Sequence, residues 1–188
     1  MQWTLDTTHS EVEFAVKHLM ISTVKGRFRT FKGSGTTDAA GRLTAVRMEI
    51  DAASVDTNVP QRDDHLRSAD FFDVGNHPVI TFESTRIEQD GSDVTLDGIL
   101  TIRGVAKPVT LVGEYTAPTK DPWGNQRAAL SVSGKINRKD WGLVWNMALE
   151  AGGVVVGEEV KLHVEVEAVM AEEADAATAG SDLASSRV

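Results

Sequence analysis

The sequence of 188 residues contains no cysteine, which excludes disulfide bonds, iron–sulfur clusters and thiol catalysis. No apolar run approaches the roughly 20 residues that a helix needs to span a bilayer, so no membrane span is expected. Residues 1–6 form neither a basic nor an apolar segment, and we therefore predict no signal peptide and a cytoplasmic location. If the chain is a trimmed mature form, the same protein is expected to be periplasmic or secreted.

Basic residues are too few for a nucleic-acid-binding surface. The formal net charge is -9, whereas contacts to phosphates need a basic face. One local exception is the alternating stripe Lys25, Arg27 and Arg29 on the outer side of a predicted strand. We favour a solvated face that protects a strand edge, and the alternative is a contact to an anionic headgroup or partner.

The composition divides the chain into one globular domain and a tail. Residues 1–170 suit a single domain by length and apolar content. Residues 171–188 are rich in alanine and acidic residues and contain no aromatic residue. Such a segment buries little apolar surface, so we predict a disordered tail.

Alternation of apolar and polar residues predicts β-strands over most of the domain. Val94, Leu96, Gly98, Leu100 and Ile102 point to one side of a strand, and the residues between them point to the other. Short glycine-containing turns flank this run, as is typical of hairpins. Seven further strands are predicted at 11–18, 24–37, 42–52, 79–89, 109–116, 128–137 and 158–170. Glycines at positions 33 and 35 are expected to bend the second one.

Residues 59–70 break this alternation and show helical spacing, with Pro60 in the first turn. The predicted fold class is therefore all-β, an extended eight-stranded antiparallel barrel with one helical insertion. A barrel of this size is either filled by its own side chains or holds one small ligand. The inward glycines Gly98, Gly113 and Gly134 favour a ligand cavity, although they could instead serve barrel curvature.

Several segments together resemble the YceI-like family of lipocalin-like, isoprenoid-binding proteins. The segments are DTTHS at 6–10, His18, GRF at 26–28, RDDHLRSADFF at 62–72, PVITFES at 78–84, GILTIRGV at 98–105 and RKDWGLVW at 138–145. They occur in order over about residues 2–170. The resemblance implies a lipocalin-like barrel, commonly a homodimer, with a long apolar tunnel that binds a prenyl quinone or polyprenyl lipid.

The inward-facing residues agree with an apolar tunnel, and Phe71 and Phe72 follow the predicted helix where they could cap one mouth. Trp141 and Trp145 could either pack in the core or line the cavity. We predict ligand contacts for Phe14, Val16, His18, Phe28, Met48, Ile50, Leu66, Phe71, Phe72, Phe82, Leu96, Gly98, Leu100, Trp141 and Trp145.

The five histidines are widely separated, and none forms a local pair with metal-ligand spacing, so no metal site is predicted. His18 lies at a strand end, where it could be a satisfied rim residue or a contact to a ligand headgroup. Arg62, Asp63, His65 and Arg67 form a polar helix, and we favour a salt-bridge network to the barrel over a role at the mouth.

The sequence contains no nucleophile elbow, zinc-protease motif or phosphate loop. We therefore predict a binding protein without catalytic residues or a cofactor, which stores or transports a polyisoprenoid lipid or prenyl quinone. One alternative is a small enzyme that acts on an apolar substrate in the same cavity. Another is a stress-associated interaction protein whose barrel is filled.

Overall fold

The computed structural model describes residues 1–150 and 152–171. The predicted tail beyond Ala171 lies outside the described residues. The strands are β1 (Gln2–His18), β2 (Ser22–Phe28), β3 (Phe31–Thr37), β4 (Leu43–Asp51), β5 (Val55–Asp56), β6 (Val79–Asp90), β7 (Asp93–Ile102), β8 (Val105–Lys120), β9 (Gln126–Asn137) and β10 (Val156–Met170). The α-helix α1 (Pro60–Arg67) lies between β5 and β6, and short 3₁₀ turns occupy Ala52–Ser54 and Arg138–Trp141.

The sheet closes into a barrel because β1 pairs with both of its ends. β1 pairs along its length with β10, while its first residues pair with β3 and its last residues with β2. β2 and β3 therefore act as two halves of one strand. Antiparallel pairings continue in chain order from β3 through β4, β6, β7, β8 and β9 to β10. This confirms the all-β, eight-stranded antiparallel barrel and its helical insertion.

The alternation in β7 places its apolar side chains inside the barrel, as predicted. Val94, Leu96, Leu100 and Ile102 are all buried, and Gly98 lies on the same inward face. The neighbouring strands β6 and β8 pair with β7 in antiparallel register through two-residue connections. The second connection, Arg103–Gly104, has both residues in the left-handed region, which suits a tight hairpin.

The first strand is longer than the sequence pattern indicates. β1 begins at Gln2, whereas its predicted start was residue 11. The register against β10 shifts between Asp6 and Glu11, so residues 7–10 form a bulge. This bulge interrupts the period of two, which explains why alternation alone detects only the second half of β1.

The predicted second strand, residues 24–37, is broken at a different position from the bend expected at Gly33 and Gly35. The strand is interrupted at Arg29 and Thr30 rather than at the two glycines. The backbone N–H of Arg29 donates to the Ser54 carbonyl at 3.1 Å, and the N–H of Thr30 donates to Ser54 Oγ at 3.1 Å. Ser54 in this 3₁₀ turn thus accepts hydrogen bonds from two backbone N–H groups, which would otherwise be available to continue the β-strand pairing.

Helix α1 is fixed to the barrel mainly by hydrogen bonds to backbone groups. The buried Asp63 carboxylate accepts from the Thr57 N–H at 2.9 Å and from its hydroxyl. Arg67 donates to the carbonyls of Ala53 and Val55 at 2.8 and 3.0 Å. The predicted salt-bridge network between helix and barrel is therefore wrong in its chemistry, because the arginine bonds to neutral carbonyls there.

The predicted basic stripe is in part an ion-pair cluster. Arg29 Nη2 pairs with Asp56, whose carboxylate also lies 3.7 Å from Arg27 Nε. Lys25 has no acidic partner within 4.0 Å among residues 1–150 and 152–171. The favoured interpretation of the stripe, as an outer face with a structural role, therefore fits Arg27 and Arg29.

The turn between β1 and β2 holds two apolar residues in the left-handed region. Leu19 and Met20 have φ values of 53° and 60°, and Met20 is 62% exposed. Asparagine and glycine tolerate this backbone better than leucine and methionine. We expect the double substitution Leu19→Asn with Met20→Gly to raise the free energy of unfolding by about 1 kcal/mol, measured by urea denaturation.

Ala40→Gly provides the control, because Ala40 lies in an exposed turn outside the left-handed region. Glycine there relieves no strain and should lower stability slightly through the entropy of the unfolded chain. A double variant at the β1–β2 turn that is less stable than the parent protein would contradict this interpretation.

Candidate functional site

The interior of the barrel contains a cavity of about 220 Å³. The residues that line it come from both ends of the strands. Val12, Leu96, Leu100 and Leu130 line it on facing walls, and apolar side chains dominate the lining. Each comes from an inward position of its strand, so the alternation that forms the barrel also forms the cavity wall. The site therefore offers an apolar enclosure for an apolar ligand.

Two hydrogen-bonded aromatic residues close one end of the cavity. Trp3 Nε1 donates to Thr37 Oγ1 at 2.9 Å, and the Tyr115 hydroxyl donates to the Gly41 carbonyl at 3.0 Å. Both aromatic residues are buried and line the cavity. Their polar atoms are satisfied by the barrel itself, so this end is an apolar wall held in place by two specific bonds.

Aromatic residues also gather at the opposite end, below α1. Phe28 contacts Phe14 and Phe72, with ring centroids 5.7 and 5.6 Å apart. Trp141 Nε1 donates to the Leu100 carbonyl at 3.0 Å and holds the 3₁₀ turn Arg138–Trp141 against β7. Phe71 and Phe72, which follow α1, both line the cavity, as expected for residues that cap a mouth.

Most of the predicted contact residues line the cavity, although ligand contact itself stays a prediction. These residues are Phe14, Val16, Phe28, Met48, Ile50, Leu66, Phe71, Phe72, Phe82, Leu96, Leu100 and Trp141. The structure does not bring His18, Gly98 or Trp145 to the cavity lining. His18 lies beyond Val16 at the end of β1, and Trp145 packs behind Phe71 at a centroid distance of 5.5 Å.

The inward glycines do not leave open space for a ligand. A Cβ atom at Gly98 would lie 2.5 Å from the Phe82 ring, which covers the position. At Gly134 it would meet Leu111 Cδ2 at 2.6 Å, and at Gly113 it would meet the Ser131 carbonyl oxygen at 1.9 Å. The interpretation of these glycines as free volume is therefore wrong, because neighbouring side chains and backbone use it.

Arg138 is a cavity residue that the sequence reasoning missed as a site residue. It lies in the segment that resembles the YceI-like family, three positions before Trp141, yet it is buried and lines the cavity. An arginine at the end of a strand normally indicates solvent exposure. The signal in the sequence that could have indicated a cavity role for Arg138 was its position three residues before Trp141 in that segment.

A second polar cluster lies where the β1 bulge meets β10. Asp6, His9 and Glu167 place ligand-type atoms within 4.8 Å of one another. Arg127 Nη1 donates to Asp6 Oδ2 at 3.0 Å and also to Glu167. A guanidinium thus already occupies the position between the two carboxylates, which fits an ion-pair network better than a metal site. The expectation of no bound metal stays a prediction.

The Arg127 network makes stability depend on pH. Hydrogen bonds from His9 and Arg127 hold the pKa of Asp6 below its ordinary value. Burial would raise the pKa of Asp121, but hydrogen bonds from Arg127 and Asn125 outweigh it and lower that pKa. A carboxylate with a lowered folded-state pKa stabilises the fold above its unfolded pKa of about 4, and this contribution is lost as the pH falls further.

We therefore expect Arg127→Met to lower the free energy of unfolding most at neutral pH, and less as the pH falls below about 4. Urea denaturation at pH 7 and pH 3 measures this difference. Arg86→Met removes the same charge from an arginine that is paired at the surface, where its side chain is 65% exposed. It should have little effect at either pH. Equal losses for Arg127→Met at both pH values would refute the linkage.

Comparison with known proteins identifies solved structures with the same fold and a family whose model matches this chain. The family model described as YceI-like domain matches residues 3–168. Protein YceI of Escherichia coli O157:H7 is 40% identical over 162 residues, covering 86% of this chain and 82% of that protein. The crystal structure of the Campylobacter jejuni YceI protein is 32% identical with a TM-score of 0.72, covering 83% of this chain and 90% of that one.

A more distant structure shares the fold. A polyisoprenoid binding domain from Saccharophagus degradans has a TM-score of 0.63 at 18% identity, covering 90% of this chain and 98% of that chain. The described part of this chain contains no helix that is both long and apolar enough to cross a membrane. The family match spans nearly the whole barrel, from Trp3 at its closed end to Ala168 in β10. The chain therefore belongs to the YceI-like family.

Proposed function

We propose that this chain is a binding protein that holds a polyisoprenoid lipid or prenyl quinone inside the barrel and so stores or transports it in water. The apolar cavity of about 220 Å³ carries this proposal. Membership of the YceI-like family supports it, as does the likeness to a domain described as polyisoprenoid binding. The cavity also argues against the alternative of a filled barrel.

The proposed driving force is the transfer of the prenyl chain from water to the cavity. Each buried CH₂ group contributes about 0.8 kcal/mol, so one five-carbon unit contributes roughly 4 kcal/mol before ordering costs. The cavity is slightly smaller than the roughly 300–1,000 Å³ of typical ligand pockets. A long chain therefore has to enlarge this space, and we propose that the half-buried rings of Phe14 and Phe72, which line it, rotate outward to admit the chain.

We propose no catalytic step for this site. General acid–base chemistry needs two titratable groups that converge on one substrate atom. Among the described residues, the charged residues that line the cavity are Glu13, Arg47 and Arg138, and of these only Arg138 is buried. A prenyl ligand is accordingly expected to be recovered unchanged after incubation with the protein.

The homodimer stays a prediction of the family resemblance. Light scattering coupled to size-exclusion chromatography measures it directly, with a mass near twice that of the 20.3 kDa chain as the expected result.

Native mass spectrometry of the protein purified from its own host tests the proposed function. We expect a 1:1 complex whose released ligand carries repeated five-carbon units after solvent extraction. Protein stripped of lipid should regain one molecule of an added C40 polyprenol. A protein without added mass that also takes up no polyprenol would overturn the proposal.

A further inference from the structure

The turn between β1 and β2 presents large apolar residues to solvent. Leu19, Met20 and Ile21 form this turn, and Ile21 is 83% exposed. Met147, in the loop that precedes β10, is 59% exposed. We call these four residues the apolar tip. Adjacent exposed apolar residues of this size usually mark a surface that contacts a partner or a membrane.

Hydrogen bonds hold the two segments of the apolar tip side by side. The Leu19 N–H donates to the Val155 carbonyl at 2.8 Å, and the Val155 N–H donates to the Met147 carbonyl at 3.0 Å. Met20 lies over Gly153, where an added Cβ would meet the Met20 Cγ at 3.4 Å. The four residues therefore belong to one surface, at the end of the barrel where β1 ends.

The backbone of the apolar tip is strained. Leu19 and Met20 lie in the left-handed region, with φ values of 53° and 60°, where asparagine or glycine is favoured. Residues held in such conformations cost free energy and concentrate at functional sites. Leucine and methionine thus occupy this turn at a cost to stability, which points to a role in binding.

Three exposed lysines surround Ala15 on the outer face of the barrel, next to the apolar tip. Ala15 pairs with Lys25 on β2 and with Lys161 on β10, and Lys17 is two residues further along β1. In the part of the chain that the structure describes, none of these three lysines has a carboxylate within 4.0 Å. The three positive charges are therefore available to an external anion.

The acidic residues on the same outer face leave the lysine cluster positive. Glu159 pairs with Lys135 Nζ at 3.2 Å, and Glu13, two residues before Ala15, is half-buried and contributes one negative charge. The whole chain carries a net charge of -9, so this cluster reverses the sign of charge locally. A surface that is apolar at its tip and basic beside it is complementary to an anionic bilayer.

We propose that the apolar tip and the three lysines dock this protein onto a bilayer that contains anionic phospholipids. The apolar side chains enter the boundary between headgroups and acyl chains, and the lysines bind the phosphates. Ala15 lies three residues before the end of β1, so the lysines beside it are about 10 Å below the tip. Electrostatic attraction reaches roughly 8–10 Å at physiological salt.

Bilayer docking goes beyond the binding of a lipid inside the barrel and does not require a filled cavity. Val16 lies near the same end of β1 and lines the cavity. Docking therefore brings this end of the cavity to the bilayer, where an apolar ligand can pass between them without crossing water.

Vesicle flotation with the full chain tests the docking. The protein should float with vesicles of equimolar phosphatidylglycerol and phosphatidylcholine and not with pure phosphatidylcholine vesicles. Raising the salt to about 1 M, where the screening length falls to about 3 Å, should lower the affinity at least about tenfold. Equal affinity for both kinds of vesicle would overturn the proposal.

Charge reversal tests the lysines. Each lysine near an anionic surface contributes about fivefold in affinity, so Lys17→Glu with Lys25→Glu should weaken binding at least about 25-fold. Lys107→Glu with Lys120→Glu is the matched control, because it changes the net charge equally on β8, which β9 and β10 separate from β1. If both double variants lose affinity equally, net charge and not this cluster governs binding, and the proposal is wrong.

Ile21→Asp tests the apolar tip and should abolish flotation. Val112→Asp places the same charge at an exposed aliphatic residue on the outer side of β8 and should float like the parent protein. Undiminished flotation of the folded Ile21→Asp protein would overturn the proposal. A parent protein that does not float, and that changes from dimer to monomer on Ile21→Asp, would assign the tip to a contact between two copies instead.

Discussion

Val164→Phe is expected to lower the affinity for a C40 polyprenol at least about 100-fold while the protein stays folded. Val164 is a half-buried cavity residue of β10 and pairs with Val12 on β1 and Val132 on β9. A phenyl ring there takes space that the chain would use. Exclusion of one five-carbon unit removes roughly 4 kcal/mol of gross transfer energy, which exceeds what a 100-fold loss requires. Native mass spectrometry titrations measure the affinity of the parent protein and that of the Val164→Phe protein for the polyprenol.

Val112→Phe is the matched control for this substitution. Val112 is 55% exposed and lies on the outer side of β8, so the same change in side-chain volume occurs outside the barrel. Its affinity for the polyprenol should equal that of the parent protein. Equal affinity of the folded Val164→Phe protein would mean that the chain does not occupy the cavity.

Gly113→Ala is expected to lower the free energy of unfolding by about 3 kcal/mol or more. The added Cβ would lie 1.9 Å from the Ser131 carbonyl oxygen and 2.8 Å from the Val132 Cα. Both atoms belong to the backbone of β9, so no side-chain rotation relieves the overlap. The two strands must separate locally, and urea denaturation measures the cost.

Gly75→Ala controls for the loss of a glycine. An added Cβ at Gly75 meets no atom within 4 Å, and the residue is outside the left-handed region. Its stability should change by less than about 0.5 kcal/mol. If both variants are equally stable, close strand approach at Gly113 is not what requires glycine there.

The sequence predicts the fold well because the alternation of apolar and polar residues, which is visible within each strand, also determines which face of the strand lies inside the barrel. In β7, the five inward positions from Val94 to Ile102 are buried as expected, because alternate side chains point to the barrel interior and the others point outward. β10, the last predicted strand, then pairs with β1 because an exposed edge is unfavourable. The spacing of residues 59–70 predicts the helix as well, whereas the long apolar tunnel is implied by the family resemblance.

The sequence fails where a position is decided by residues far along the chain. Gly98 sits inward as predicted, yet its volume is taken by Phe82 of the adjacent strand. The β1 bulge brings His9 close to Glu167, a partner that no local spacing could reveal. Arg138 is buried by carbonyls of Val156 and Gly157, which lie across a long loop. Long-range packing, rather than local propensity, thus determines these parts of the candidate site.

Photo-cross-linking tests most directly whether a prenyl chain lies inside the barrel. A farnesyl alcohol with a terminal diazirine is irradiated with the protein, and the labelled peptides are mapped by mass spectrometry. The account predicts labels on inward residues such as Leu96 and Leu100, which line the cavity. Labels confined to outward residues such as Ile99 and Val112, which are exposed on the same sheet, would contradict it.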